Sequence, residues 1–286
     1  MLSIAIPSRN EIFLKNTIED VLRNATGKIE VFPILDGYDI PEDEIVKDDR
    51  VKYIRIPNNG QMQKRHGINT AVSIAKGEYV MSLDAHCMMA KGFDEQLAKD
   101  HQDNWVQLPR RNRLNAADWC LQPQPNKPPI DYEYFMWRGL RKPDPSLHGF
   151  RWDARTRERE HILIDDTLTF QGSCWFMTKE WFNKMGFMQI EGYTGWGQEA
   201  EEIGLKTRLH GGRLISNKNT WYAHLHKGKK YGRMYFMNKK SNIRCYAYSS
   251  SIWLGKYKDF FIELIDKFSP VPNFPENWKD ILWKQQ

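Results

Sequence analysis

Short apolar runs and amphipathic stretches alternate through the first hundred residues of this 286-residue chain. Residues 2–6 form an apolar run closed by Pro7, and Ser8-Arg9-Asn10-Glu11 leads into a helical pattern through Leu14, Ile18, Val21 and Leu22. Residues 29–35 read as a second strand stopped by Asp36-Gly37, and residues 51–56 as a third stopped by Pro57-Asn58-Asn59-Gly60. Residues 62–75 repeat with helical period and close at Lys76-Gly77, a C-terminal cap signal. Residues 79–83 are the fourth strand, running into Asp84. Strands alternating with helices predict right-handed βαβ units and a mainly parallel sheet flanked by helices, an α/β fold. Ligands of such sheets bind beyond the carboxyl ends of the strands, and Pro7-Ser8-Arg9, Asp36 and Asp84 all fall there.

The pattern breaks at 122–160, which holds Pro123, Pro125, Pro128, Pro129, Pro143 and Pro145 among arginines and tryptophans. This predicts a long irregular surface insertion, a length at which structureless loops are usually functional. Regular patterning returns at 168–178. Helices are expected at 179–185, at about 199–210 and at 257–268, and short strands near 213–215 and 221–224. We expect one α/β domain over 1–226 that carries the insertion, with a basic, partly helical extension over 227–286 packed on it.

No run of eighteen apolar residues occurs, so no membrane-spanning helix is expected. The apolar N-terminal run is too short for a signal peptide and has no basic leader. Cys87, Cys120, Cys174 and Cys245 form no CxxC pair, which argues against a zinc ribbon and fits a reducing cytoplasm. The 11 tryptophans suit either a Trp-rich core or a site that grips sugars and bases. The formal net charge of +6 is uneven: from Ile203 to Lys258 there are thirteen Lys or Arg and no acid. Such a stretch is a solvated basic face or a surface for phosphates, on a nucleotide, a nucleic acid or an anionic membrane.

Three segments could carry chemistry. In Asp84-Ala85-His86 a carboxylate and an imidazole two residues apart can converge on one divalent ion if the backbone turns, although D-x-H alone is common by chance. Trp196-Gly197-Gln198-Glu199-Ala200-Glu201-Glu202 puts three carboxylates at a helix start, where the dipole alone would favour them. One or two of them facing a pocket could orient an acceptor or act as base, with Trp196 in an aromatic wall against a sugar ring. His224 and His226 alternate on a strand and share a face.

In order, Ile-Pro-Ser-Arg-Asn-Glu, Asp36, Lys64-Arg65 and Gly77-Glu78-Tyr79-Val80-Met81-Ser82-Leu83-Asp84-Ala85-His86-Cys87 resemble a GT-A fold glycosyltransferase of the family 2 type. The His-Cys after Asp84 is similar to the polypeptide N-acetylgalactosaminyltransferases. Trp196 to Glu202 resembles their W-G-G-E-N-x-E segment, and Leu209-His210-Gly211-Gly212-Arg213-Leu214 their C-G-G-x-L segment. The likeness covers about 2–226 apart from the insertion. It implies a Rossmann-like GT-A domain and transfer of a sugar from a nucleoside diphosphate, UDP above all, to an acceptor hydroxyl. It implies that Asp84, His86 and His224 hold Mn²⁺ (or Mg²⁺) on the diphosphate. Pro7, Ser8 and Arg9 would line the nucleotide pocket with Asp36 near the base, Arg65 would approach the donor, and Glu199 and Glu202 would face donor sugar and acceptor. Glu199 is the candidate base for an inverting reaction, or a positioning group for a retaining one. Gln198 and Ala200 depart from the family's Gly and Asn beside the donor sugar, which leaves the identity of that sugar open.

The acceptor stays open. Lys227, Lys229, Lys230, Arg233, Lys239, Lys240 and Arg244 suggest a polyanion, such as a modified base in viral DNA. A saccharide or lipid-linked glycan, with peripheral membrane contact, is the alternative, and an inactive nucleotide-sugar or nucleic-acid binding module is a third reading.

Overall fold

A computed structural model describes residues 1–137, 147–194, 197–233, 235 and 238–283. The chain opens with β1 (Leu2–Ser8), α1 (Leu14–Asn24), β2 (Ile29–Asp36), β3 (Ile54–Ile56), α2 (Lys64–Ile74) and β4 (Tyr79–Leu83). It continues with β5 (Cys87–Met89), α3 (Phe93–Lys99), β6 (Trp105–Asn115), β7 (Cys120–Leu121), β8 (Glu133–Phe135), β9 (Gly149–Arg151) and α4 (Asp153–Glu158). Next come β10 (Ile164–Asp166), β11 (Cys174–Thr178), α5 (Lys179–Lys184), α6 (Glu199–Leu209) and β12 (Arg213–His224). The chain ends with α7 (Gly228–Tyr231), α8 (Lys239–Ser250), a π-helical turn (Ser251–Lys256), α9 (Lys258–Phe268) and α10 (Trp278–Trp283).

The main sheet runs β10-β12-β6-β11-β4-β1-β2-β3. β1 pairs in parallel with β2 and β4, and β2 with β3, as the alternation requires. β11 enters antiparallel between β4 and β6, and β12 runs parallel to β6. Every residue of β2 is buried because helices cover both faces of the sheet. Successive strand residues point to opposite faces, so Ile34 joins one apolar core with Ile56, Ile68 and Trp175, while Leu35 joins another with Ile4, Ile18 and Phe93. α2 lies so close to β2 that a Cβ on Gly67 would stand 2.6 Å from Ile34 Cγ2, which leaves glycine as the residue that fits there.

Four expectations change. The third strand is shorter than residues 51–56, since only Val51 bridges to Val31 before Ile54 begins the ladder. The two late strands are one, β12, with a register shift between Asn217 and Trp221. β6 was not expected at all: its sequence WVQLPRRNRLN has no apolar alternation, because its arginines are satisfied by acids, Arg110 by Asp131 and Arg111 by Glu133. The stretch 122–160 is not an irregular surface loop in its described part. It supplies β8, β9 and α4, and its Tyr132, Tyr134, Phe135 and Trp152 build a third core with Trp253, Phe261 and Ile265 of the C-terminal segment. Arg138, Arg141, Pro143 and Pro145 lie outside the described residues. No helix among the described residues is long and apolar enough to cross a membrane.

Candidate metal and nucleotide site

β4 delivers Asp84 at its carboxyl end, where the Asp84 N–H donates to Ser173 O at 2.8 Å. The chain turns through buried Ala85 and re-enters the sheet as β5, antiparallel to β12, with Cys87 opposite His224. The Leu225 N–H donates to His86 O at 3.1 Å and locks that register. Two segments almost 140 positions apart in sequence are thereby brought side by side. The His86 and His224 ring centroids stand 4.8 Å apart, and one ligand atom from each of Asp84, His86 and His224 lies within 4.8 Å of the others.

The electrostatics prepare the three for a cation. Burial would raise the Asp84 carboxyl, but Lys64, His224 and His86 around it hold it far below the usual carboxylate range. Burial pushes His224 down to about 3, so its imidazole is neutral across the physiological range, the state a metal ligand needs. Both His224 ring nitrogens are buried without a hydrogen-bond partner among the described residues, and Nε2 faces Asp84 Oδ2 at 3.5 Å. A buried, unsatisfied imidazole beside a carboxylate fits a divalent ion. One carboxylate with two imidazoles suits a borderline ion such as Mn²⁺. His86 Nδ1 meets Glu11 Oε2 at 3.1 Å, the carboxylate contact that commonly orients a metal-ligating histidine and leaves Nε2 for the ion. Lys227 also binds Glu11.

A cavity of about 550 Å³, counting space open to solvent, leads away from this cluster past Pro7, Ser8, Arg9 and Asp36. Arg9 Nη1 stands 3.1 Å from Asp36 Oδ1, and Asp36 also accepts from the Gln63 N–H at 2.9 Å. The Ser8 hydroxyl meets the Tyr38 hydroxyl. A second cavity of about 560 Å³ opens on the other side, lined by Gly172, Gln198, Glu199, Glu201 and Tyr246. Lys64 and Asp84 line both cavities, so the Asp84 cluster sits where they meet. Lys64 Nζ donates to Asp84 Oδ1 at 2.8 Å and to Gly172 O at 3.3 Å.

Two carboxylates of the first turn of α6 differ in role. Glu199 faces the second cavity, and its Oε1 is buried without a partner among the described residues. Glu202, expected to face donor sugar and acceptor, is instead 1% exposed and saturated: one oxygen pairs with Arg65, the other accepts from the Gln189 N–H at 2.8 Å and meets Lys206 at 2.5 Å. Arg65 is corrected with it. It does not reach the first cavity but stacks under the Tyr193 ring at 4.0 Å and braces α6. Adjacent helix residues point about 100° apart, so of Lys64-Arg65 only one can enter the cleft, and it is Lys64. Trp196 lies outside the described residues, as does the Lys229 side chain. Sequence reasoning missed Lys64, Glu11 and Glu201. Glu11 was within reach of it, in the Pro-Ser-Arg-Asn-Glu run beyond β1.

Glu201 adds a pH prediction. Burial, then the nearby Glu199 charge, raises its carboxyl from 4.5 to about 8. A raised folded-state value gives a contribution fully present below about 4.5 and lost as pH rises through 8. Glu201→Gln removes that loss, so the variant should melt several degrees above the native protein at pH 9 and show little advantage at pH 5, read by thermal unfolding at both. An equal difference at the two pH values would contradict the assignment.

Strand-end carboxylate, paired imidazoles and flanking cavities on a Rossmann-like sheet define a GT-A type domain with a metal-ready donor cleft. The sequence model described as "Glycosyl transferase family 2" matches residues 3–186, and the chain belongs to that family. It is 28% identical over 235 residues to the putative polypeptide N-acetylgalactosaminyltransferase 13 of Drosophila melanogaster, covering 73% of this chain and 38% of that protein. It is 22% identical over 263 residues to polypeptide N-acetylgalactosaminyltransferase 8 of the same organism, covering 85% and 41%. The chain thus spans about two fifths of the length of these relatives. Among solved structures, GalNAc-T7 with UDP, GalNAc and Mn²⁺ shares the fold at TM-score 0.69 and 19% identity, covering 99% of this chain and 54% of that one. The mannosyltransferase PcManGT of Pyrobaculum calidifontis with GDP-Man and Mn²⁺ aligns at TM-score 0.51 and 12% identity, covering 99% and 68%.

Proposed function

We propose that the chain is a metal-dependent glycosyltransferase that moves a sugar from a nucleoside diphosphate, of the uridine type, to an acceptor hydroxyl. The convergence of Asp84, His86 and His224 where the two cavities meet carries this reading. Asp84, His86 and His224 would hold Mn²⁺ or Mg²⁺, which would supply Lewis acidity to a departing diphosphate. Glu11 keeps His86 oriented. Ser8, Arg9 and Asp36 line the nucleotide side, and Lys64 adds a cation beside the phosphates. Glu199 faces the sugar on the other side. The acceptor oxygen bonds to the anomeric carbon as the bond from that carbon to phosphate oxygen breaks. In an inverting reaction Glu199 takes the acceptor proton; in a retaining one it positions the sugar, and the proton passes to the departing phosphate oxygen. An intact ligand set weighs against an inactive binding module.

The acceptor reading rests on the basic segment. Lys230, Arg233, Lys239, Lys240 and Arg244 are solvent-exposed, whereas Lys227 turns inward to Glu11. A hydroxylated base in DNA fits such a face, with saccharide and lipid-linked glycans as the alternative. The four free thiols fit a reducing, cytoplasmic compartment. Two measurements test the whole. Incubation with UDP-sugars and Mn²⁺ should release UDP, and EDTA should stop it; release unaffected by EDTA contradicts the mechanism. DNA affinity should fall steeply with salt, and absence of binding at low salt removes the nucleic-acid acceptor.

A further inference from the structure

β6 runs beside the end of β12 that carries His224. In the parallel β6–β12 ladder Arg113 pairs with His224, and Arg111 with Tyr222. Paired residues of neighbouring strands leave the same face, and such strands lie about 4.8 Å apart. Arg113 therefore leaves the sheet one strand away from His224, on the side of the candidate metal cluster. Burial, then the charges of Arg151 and Arg111, pushes the Arg113 guanidinium down, as like charges held close must. A cavity of about 550 Å³, counting open space, lies here, and its lining includes Arg111, Arg113 and Lys127 with Gln122 and Gln124 but no carboxylate.

The acids nearby are already committed. Glu133 holds Arg111 at 2.8 Å, and Asp153 holds Arg151 at 2.5 Å. The Arg113 and Lys127 side chains make no hydrogen bond or ion pair among the described residues, although Asp153 lies near enough to act on the Arg113 charge. Of the three gathered arginines, Arg113 is the one without an ion pair of its own among the described residues. The planar fork of a guanidinium, with amide side chains beside it, matches the oxygens of a phosphate.

We propose that this cavity is an oxyanion subsite of the acceptor, in which Arg113 binds a phosphate group of the acceptor molecule. Bound there, the acceptor is anchored one strand from His224, so its hydroxyl can reach the cleft. The acceptor role rests on the transferase reading; the binding of phosphate does not.

Equilibrium dialysis with inorganic phosphate tests it on the full chain saturated with UDP and Mg²⁺, so that the nucleotide side is filled. Phosphate should bind, and Arg113→Gln should weaken it about tenfold or more, as loss of a charge-assisted hydrogen bond does. Arg113→Lys should weaken it less, and UDP affinity should not change in either variant. No binding to the native chain, or equal binding by Arg113→Gln, overturns the subsite. If UDP itself fails to bind, the donor reading falls, while phosphate binding lost on Arg113→Gln still supports the subsite. A short single-stranded oligodeoxynucleotide and glycerol 3-phosphate then identify the source: displacement of phosphate by either supports an acceptor of that chemistry, and displacement by neither overturns the acceptor role.

Discussion

Asp84→Asn should lower sugar transfer about a thousandfold or more while leaving the protein folded. Losing the one carboxylate of the ligand set removes both metal affinity and the charge that holds the ion against a diphosphate, several kcal/mol of transition-state stabilisation. Asparagine has nearly the shape of aspartate and still offers an oxygen to Lys64, which donates to Asp84 at 2.8 Å. Lys64 also feels the Glu199 charge, so it is not left without any acid. The stability loss should stay near 1–3 kcal/mol, the range for a weakened hydrogen bond to a charged group. Steady-state UDP release and thermal unfolding read the two effects separately. Unchanged release with Asp84→Asn would sink the assignment of the cluster.

Glu199 and Glu202 lie one turn apart on α6 and should fail in opposite ways. Glu202→Gln breaks a buried pair in which Arg65, Lys206 and the Gln189 N–H together use both oxygens. Removing the direct partner leaves buried Arg65 with the Glu199 charge but no ion pair of its own among the described residues, a cost of about 3 kcal/mol, or roughly 10 °C in melting temperature. Glu199→Gln removes a carboxylate whose Oε1 has no partner among the described residues and which faces the second cavity. Its stability should move by no more than about 1–2 kcal/mol, since Lys64 and Arg65 keep Asp84 and Glu202. Its transfer rate should fall about a hundredfold or more, as expected for a group that moves a proton or positions the sugar. Melting curves and turnover measured on both variants decide it. If Glu202→Gln melts normally and Glu199→Gln turns over normally, the division of roles along α6 is wrong.

The parallel half of the fold was legible because burial on both faces writes continuous apolar runs, as in residues 29–35, and each run ends at a turn residue that marks the site side. Asp84 was legible for the same reason. β6 was not, because a strand whose arginines are neutralised by Asp131 and Glu133 carries no apolar signal; those partners come from distant sequence. The fold of 122–160 was hidden likewise, since its aromatic residues find their core in the C-terminal helices. His224 could be placed only through the family likeness, as nothing in its own neighbourhood tells a strand histidine from a ligand. The choice between Lys64 and Arg65, or Glu199 and Glu202, turns on which side of a helix faces the cleft. Both pairs sit at helix starts, where periodicity has barely begun.

Electron spin-echo spectroscopy of Mn²⁺ bound to the chain together with UDP bears most directly on the central claim. The account predicts coupling of the bound ion to histidine nitrogens, reduced in His86→Ala and in His224→Ala, and no tight Mn²⁺ binding by Asp84→Asn. Bound Mn²⁺ without nitrogen coupling, or coupling unchanged in both histidine variants, would contradict it.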